Sequence, residues 1–554
     1  MTIYDKITPE GTRDLLFEQC DVQNGITGAL RKLFEEEGYR EVKTPGFEFY
    51  DAFASKTDYY PQEGLYTLPD SRGRLITVRP DSTIPIARMT ASKLRGHSLP
   101  IKLYYLQDVF RRQPEHSGKN AETLQMGMEL IGAAGFEADI EALGIAARAL
   151  QNAAPDKFRI EIGHMGVYNQ LMSGLDMEPE DKILIHRYIA AKNYSALNDI
   201  LDSLSDSRSA TILSRLPGLF GGAEVLAEAR ALMGDADPAL NNILQDLEKL
   251  FQALSRDNPF GKVIIDFGLV NQADYYSSLV FRGYIEGSGV PVLSGGRYDD
   301  LLSDFGENIP AVGFALNIDQ LTNARLRSEF TGDRAEDQAA VSQPDPDKLR
   351  IALTKGRLED SFIDLMEEAG FDCSEVKSKG RKLLLEVPGA NIELFLAKAH
   401  DVLTYVEHGV CDIGVVGKDS IAEFGGTYYE ILDLGIGICR FALAAPKGKD
   451  FYSAYDAKVV ATKYPNVANR YFEKKGMDVN TIKIEGSVEI APLVGLADGI
   501  VDIVQTGSTL KENGLEVVEY IQDISARLIV NSSSMKIKKD SIDSFSKKLE
   551  EVKE

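Results

Sequence analysis

Two hydrophobic periods alternate along this chain, and the switches between them mark out its elements. Leu349 to Thr354 is a short apolar run, which predicts a strand. Leu358 to Ala369 carries its apolar residues at helical spacing and predicts an amphipathic helix. The sequence then repeats the theme: Val402 to His408 predicts a helix, and Cys411 to Val416 a strand ending in Gly417-Lys418-Asp419. Near the carboxyl end, Ile490, Leu493, Val494 and Ala497 recur at helical spacing. Gly499 is expected to break that helix, and Ile500 to Val504 to form a strand buried on both faces.

One residue interrupts the last apolar run. Asp502 places a carboxylate inside a strand, which is costly unless cations or hydroxyl donors meet it. Directly afterwards Thr506-Gly507-Ser508-Thr509 precede a new helical segment, leaving backbone amides and three hydroxyls at a helix amino end. Gly507 lets the backbone approach a ligand closely. Carboxylate and loop together suit a phosphorylated sugar, with ribose hydroxyls on Asp502 and a phosphate in the loop. The plainer alternative is a strand, turn and helix whose Thr and Ser only cap the helix.

A weak internal echo accompanies this segment. Asp412-Ile413, Gly417 and Asp419 have the same spacing as Asp502-Ile503, Gly507 and Thr509. Two similar α/β lobes with their loops facing one cleft would explain it, as would chance similarity between buried strands. Upstream, Thr331 to Lys348 has no Leu, Ile or Phe and holds two prolines, as an exposed linker should. It divides the chain into residues 1–330 and 349–554.

Composition adds boundaries. The 554 residues, 44% hydrophobic and 26% charged, exceed one core and are ordinary for a globular protein. A net charge of -24 argues against general nucleic-acid binding. No apolar run approaches the ~20 residues of a membrane span. Cys20, Cys373, Cys411 and Cys439 lack paired metal spacing, and the first residues lack a signal peptide's pattern. A cytoplasmic protein with no membrane partner is expected.

The full spacing Glu489, Gly495, Ala497, Ile500, Asp502-Ile503, Thr506-Gly507, Thr509-Leu510 resembles the signature of ATP phosphoribosyltransferase, the first enzyme of histidine biosynthesis. TKGR at Thr354, SKGRKL at Ser378, DVLTYVEHG at Asp401, DIGVVGKD at Asp412 and ISARLIVN at Ile524 extend the resemblance over the whole second part. It implies an α/β two-lobed periplasmic-binding-protein-like domain. The lobes would comprise approximately 349–440 plus 520–554, and 441–519. It further implies that ATP and 5-phosphoribosyl diphosphate are the substrates and that Mg2+ travels with the diphosphate. Glu489, Asp502, Thr506, Gly507, Ser508 and Thr509 would bind 5-phosphoribosyl diphosphate. Lys355, Arg357 and Arg381 would bind ATP, and Asp502, Lys398 and Arg381 would be catalytic, with no metal held by the protein itself. Lys398 stands where the family usually has an arginine, keeping the charge without the bidentate fork. Only Ser532 to Glu554 follow ISARLIVN, so the second part resembles the short form that needs a separate regulatory subunit.

The first part is similar to the catalytic core of histidyl-tRNA synthetase. The resemblance rests on TVRPDST at Thr77, VFR at Val109, Gln125 with Glu129, DYY at Asp274, SGGRYD at Ser294 and AVGFAL at Ala311. It implies an α+β class II aminoacyl-tRNA-synthetase-like domain with a mostly antiparallel sheet. Departures at Gln113, Lys119-Asn120-Ala121, Asn271-Gln272 and Gln320 remove expected charged groups, so adenylation should fail. With no anticodon domain, tRNA is not an expected partner. A pocket remains in Asp81, Thr83, Arg111, Gln125, Glu129, Tyr275 and Tyr276. The whole therefore resembles a regulatory subunit, with histidine as inhibitor, fused to its catalytic partner in a homo-oligomer for which a tetramer is expected. A non-catalytic histidine-sensing or solute-binding protein and an aminoacyl-tRNA synthetase are the alternatives.

Overall fold

Alternation along the strands of the first part lets one sheet face receive helices while the other carries polar groups. The computed structural model describes residues 6–553, apart from 55–59, 61, 114–117, 154–157, 191–193, 202–203, 205–206, 234–236, 258–261, 271–274, 287, 334–347, 379, 381 and 454–457. Residues 1–343 and 344–554 form two compact units. Most of the expected linker at 331–348, and the motif positions Asn271, Gln272 and Asp274, lie outside the described residues.

The first unit is built on a nine-stranded sheet. Its pairings are mostly antiparallel, with the Arg40–Glu41/Ile101–Phe110 and Phe158–His164/Lys262–Asp266 pairs parallel. Helix Phe136–Ala153 packs on it through Ala142, Ala146 and Ala149, small residues that allow close approach, and through the larger Leu150. Strands Ile101–Phe110 and Glu122–Ile131 pair with Tyr105 opposite Gly127 and Leu103 opposite Glu129. Gln125, Gly127 and Glu129 thus share one face. On the other side of Glu122–Ile131, Glu129 lies opposite Gly313 of strand Ala311–Asn317. A Cβ on Gly313 would stand 1.9 Å from the Glu129 carboxylate, so only glycine leaves that carboxylate its place.

The second unit contains two sheets of matching topology. One runs Leu384–Val387, Ile392–Ala397, Leu349–Thr354, Ile413–Gly417, Ala526–Asn531, Tyr428–Asp433; the other runs Val479–Lys483, Lys458–Thr462, Gly499–Val504, Cys439–Pro446, Leu515–Ile524. Without its first strand, the first sheet has the order and strand directions of the second. Strand Leu515–Ile524 pairs in the second sheet, so the chain returns to the first lobe at Ala526–Asn531, a few residues after the expected bound at 520.

The sequence echo identified the repeat but not its register. Asp412 clamps Arg350, its amide donating to the Arg350 carbonyl (2.8 Å) and its carboxylate accepting from the Arg350 amide (2.9 Å). Asp498 clamps Val459 in the same way, at 2.8 and 3.0 Å. Asp412 therefore corresponds to Asp498, and Asp502 has no acidic counterpart in the first lobe. A second correction concerns the predicted helix before this strand. Only Ile490–Leu493 is helical, and Gly495, at φ +76°, ends it rather than Gly499. Ala491 and Ala497 are buried, whereas Ile490, Leu493 and Val494 are exposed. The expected apolar face thus points to solvent.

Candidate functional site

Loops from both lobes line one cavity of about 740 Å³. Thr354, Arg357, Ala399, Gly417 and Asp419 line it from the first lobe. Glu489, Asp502, Gln505, Thr506, Gly507 and Thr509 line it from the second. Gly417 and Gly507 thus face the same cleft, as the two-lobe expectation required.

Asp502 is half-buried in the strand Gly499–Val504, and its carboxylate accepts from the Ile503 amide at 2.8 Å. Burial pushes its pKa up to about 6, reinforced by the neighbouring Glu489 carboxylate and opposed by the Ile503 amide and Lys463. Of the two groups that could offset its burial, no cation forms an ion pair with it among the described residues, although the Lys463 charge acts on it from nearby. Hydroxyl donors from a ligand would stabilise the ionised form.

The loop after Asp502 is exposed. Gly507 has φ +72° and caps the short helix Ser508–Glu512. Thr506 and Ser508 hydroxyls lie 3.0 Å apart. Among the described residues, the amides of Thr506, Gly507, Ser508 and Thr509 donate to no other protein group. Four amides and three hydroxyls are thus available at one end of the cleft, suited to an anion.

The expected cations separate. Arg357 lines the cavity and donates to Gln505 Oε1 at 3.1 Å, linking the lobes across the cleft. Lys398 is exposed at the N-cap of helix Ala399–Glu407 and adjoins the cavity through Ala399. Lys355 is exposed and is not among the cavity's lining residues. Arg381 lies outside the described residues. Sequence reasoning missed Lys463 and Tyr464, which follow the strand Lys458–Thr462 beside Asp502's strand. The signal was present in a Thr-Lys-Tyr-Pro turn leading into a helix, at the position that Lys355-Gly356 occupies in the first lobe. Among the described residues no group of three or more His, Cys, Asp or Glu could hold a metal ion.

In the first unit the predicted pocket residues largely converge. The Thr83 hydroxyl donates to Glu129 Oε1 at 2.8 Å, and Tyr298 donates to the other carboxylate oxygen. Burial raises the Glu129 pKa to about 8, against the Tyr298 and Thr83 hydrogen bonds. Burial also raises Asp81, while the Ile84 amide and the Arg111 guanidinium pull the other way. Tyr275 and Tyr276 have ring centroids 4.7 Å apart, and Tyr275 stands 6.0 Å from Tyr298. Gln125 sits on the Glu129 face of its strand but further along it. Tyr298 stands in the quoted SGGRYD motif but was given no pocket role, and Tyr105, whose phenol neighbours Thr83 and Glu129, was not picked out from the sequence.

The architecture is thus a class II synthetase-like unit followed in sequence by a two-lobed α/β unit with a cleft between its lobes. Residues 11–321 match the histidyl-tRNA synthetase family model and residues 398–551 the ATP phosphoribosyltransferase model. An ATP phosphoribosyltransferase of Clostridium kluyveri is 59% identical over 203 residues, covering 37% of this chain and 93% of that protein. An ATP phosphoribosyltransferase regulatory subunit of the same organism is 36% identical over 344 residues, covering 62% of this chain and 88% of that protein. A solved ATP phosphoribosyltransferase regulatory subunit/histidyl-tRNA synthetase from Bacillus halodurans C is 28% identical, with TM-score 0.53. It covers 71% of this chain and 93% of its own. The chain belongs to the ATP phosphoribosyltransferase family, its transferase part preceded by a unit of the histidyl-tRNA synthetase kind found in that enzyme's regulatory subunits. By reaction class it is a glycosyltransferase.

Proposed function

We propose that this chain condenses ATP with 5-phosphoribosyl diphosphate to give N1-(5-phosphoribosyl)-ATP and diphosphate, opening L-histidine synthesis, with its first unit acting as the histidine-responsive regulator. The observation that carries the reading is one cleft with a carboxylate, Asp502, beside four amides that donate to no other group among the described residues. Adenine N1 attacks ribose C1 as the C1–O bond to diphosphate breaks, through a transition state of oxocarbenium character. A neutral ring nitrogen needs no strong base, so positioning and charge stabilisation supply the rate.

In this reading Thr506 to Thr509 hold the 5-phosphate, and Asp502, supported by Glu489, holds the ribose hydroxyls. Lys355, Arg357, Lys398 and Arg381 supply positive charge to the diphosphate and to the ATP phosphates. Mg2+ carried by the diphosphate would supply charge neutralisation at the leaving group, with no step assigned to a protein-held metal. In the first unit Asp81, Thr83, Glu129 and the tyrosines would receive histidine's ammonium and ring. A homo-oligomer, a tetramer in the simplest case, and a cytoplasmic setting complete the proposal. No helix among the described residues is long and apolar enough to cross a membrane.

A coupled assay of diphosphate release by the full chain, given ATP and 5-phosphoribosyl diphosphate with and without histidine, tests it. Release requiring both substrates and suppressed by histidine is expected. No release, or histidine-dependent ATP–diphosphate exchange instead, would overturn the reading.

A further inference from the structure

Asp419 enters the cleft from the lobe opposite the phosphate loop, and none of the roles above uses it. It stands at the carboxyl end of strand Ile413–Gly417, in the first turn of helix Lys418–Phe424. Two features fix its carboxylate. The Tyr464 hydroxyl, from the second lobe, donates to Oδ2 at 3.1 Å. On the other side, a Cβ on Gly417 would stand 2.1 Å from Oδ1, so glycine there leaves the only room for this rotamer. Among the described residues no Lys or Arg forms an ion pair with Asp419; the adjacent Lys418 is turned inward and held by Glu430 at 2.6 and 2.8 Å. A fixed, half-buried, unpaired carboxylate repels phosphate and accepts hydrogen bonds only.

We propose that Asp419 reads the adenine of ATP by accepting a hydrogen bond from its 6-amino group, and so holds N1 toward the ribose carbon. This rests on the transferase reading above. The reaction supplies the chemical reason. As the N1 lone pair forms the bond to C1, the C1–O pair leaves with diphosphate and positive charge spreads over N1, C6 and the amino nitrogen. The amino hydrogens become more acidic, so a hydrogen bond to a carboxylate is stronger in the transition state than in bound ATP. Such an interaction raises turnover as well as affinity. It also selects against purines with an oxygen at C6, which present an acceptor to the carboxylate. Tyr464 is a positioning residue: burial and the neighbouring Asp419 and Asp502 raise its pKa, keeping the hydroxyl a donor.

The test compares two nucleotides on the full chain, ATP and purine riboside 5′-triphosphate, which lacks the amino group. Equilibrium binding of each is measured for wild type and Asp419→Asn, alongside ATP turnover. A hydrogen bond to a charged group corresponds to roughly tenfold to a hundredfold in affinity. Wild type is expected to prefer ATP by about that factor, and Asp419→Asn to lose the preference while binding purine riboside triphosphate as before. Its kcat with ATP should fall further than its affinity. Tyr464→Phe should reduce the preference partially, and Asp419→Ser replaces the amide variant if that one does not fold. Equal losses for both nucleotides, or an unchanged preference, would overturn the role of Asp419 while leaving the transferase reading intact. An inactive wild type would overturn that reading instead.

Discussion

Asp502 shows how a single residue can be costly to the fold and still be retained. Its pKa lies at about 6 instead of 3.8 because burial and Glu489 disfavour the charged form. For an acid raised in this way, the cost to stability is present in full above about 6 and disappears as pH falls below the unfolded value. Asp502→Asn, which removes the charge, is therefore expected to unfold at the same or a higher temperature than wild type at pH 8, while turnover falls at least a hundredfold. Calorimetric melting and diphosphate release measured on one preparation would check both halves. The wild-type kcat/KM should also fall as pH drops through about 6, because a protonated carboxyl accepts poorly from ribose hydroxyls; wild-type pH dependence in the Asn variant would refute the link. This acid was legible in the sequence because a carboxylate breaks a five-residue apolar run. Asp419 stood in the sequence echo and in DIGVVGKD without a role, and Lys463 and Tyr464 were not picked out, since polar residues after a strand are ordinary in loops and only the three-dimensional cleft brings them to Asp502.

Among the elements, the phosphate loop and the clasp between lobes carry separate burdens. Gly507 adopts φ +72°, where an added Cβ costs roughly 1–2 kcal/mol. Gly507→Ala should raise KM for 5-phosphoribosyl diphosphate severalfold with a smaller change in kcat, because the 5-phosphate is held equally in ground and transition states. Steady-state kinetics with that substrate varied decides it. Elsewhere, Glu423 of the first lobe accepts from the Asn466 and Val467 amides at 3.2 and 3.1 Å, capping the second-lobe helix Pro465–Lys474. Glu423→Ala leaves those amides without their anion and should cost about 1–3 kcal/mol, read as a lower melting temperature. Element types were legible because period and length agreed: Leu349–Thr354, Arg357–Glu368, Ala399–Glu407 and Ile413–Gly417 stand within a few residues of expectation. Register was not. Asp412 and Asp502 share a sequence spacing but not a backbone role, and the bonds of Asp412 and Asp498 decide the alignment. The helix expected over Ile490 to Ala497 failed for another reason. Helical spacing of apolar residues does not say which of them face this chain's own core, and here the alanines do.

At the scale of the whole molecule, the proposal joins a sensing pocket in one unit to turnover in the other, and proton binding gives a handle on the join. With its pKa at about 8, Glu129 is mostly protonated at pH 7 in the pocket without ligand. Histidine's ammonium, arriving beside it, favours the ionised form, so binding should expel a proton. Affinity for histidine should accordingly rise with pH through about 8, as the ligand no longer has to displace that proton. Inhibition of diphosphate release should follow the same curve, with a lower histidine requirement at pH 8 than at pH 6.5. Titration calorimetry in buffers of differing ionisation enthalpy counts the protons released, and inhibition curves at the two pH values report the effect on turnover in the other unit. Glu129→Gln should abolish the proton release and flatten the pH dependence of inhibition, leaving uninhibited turnover close to wild type. Proton release that persists in the Gln variant would assign it to another group, and inhibition that ignores pH would separate this pocket from regulation.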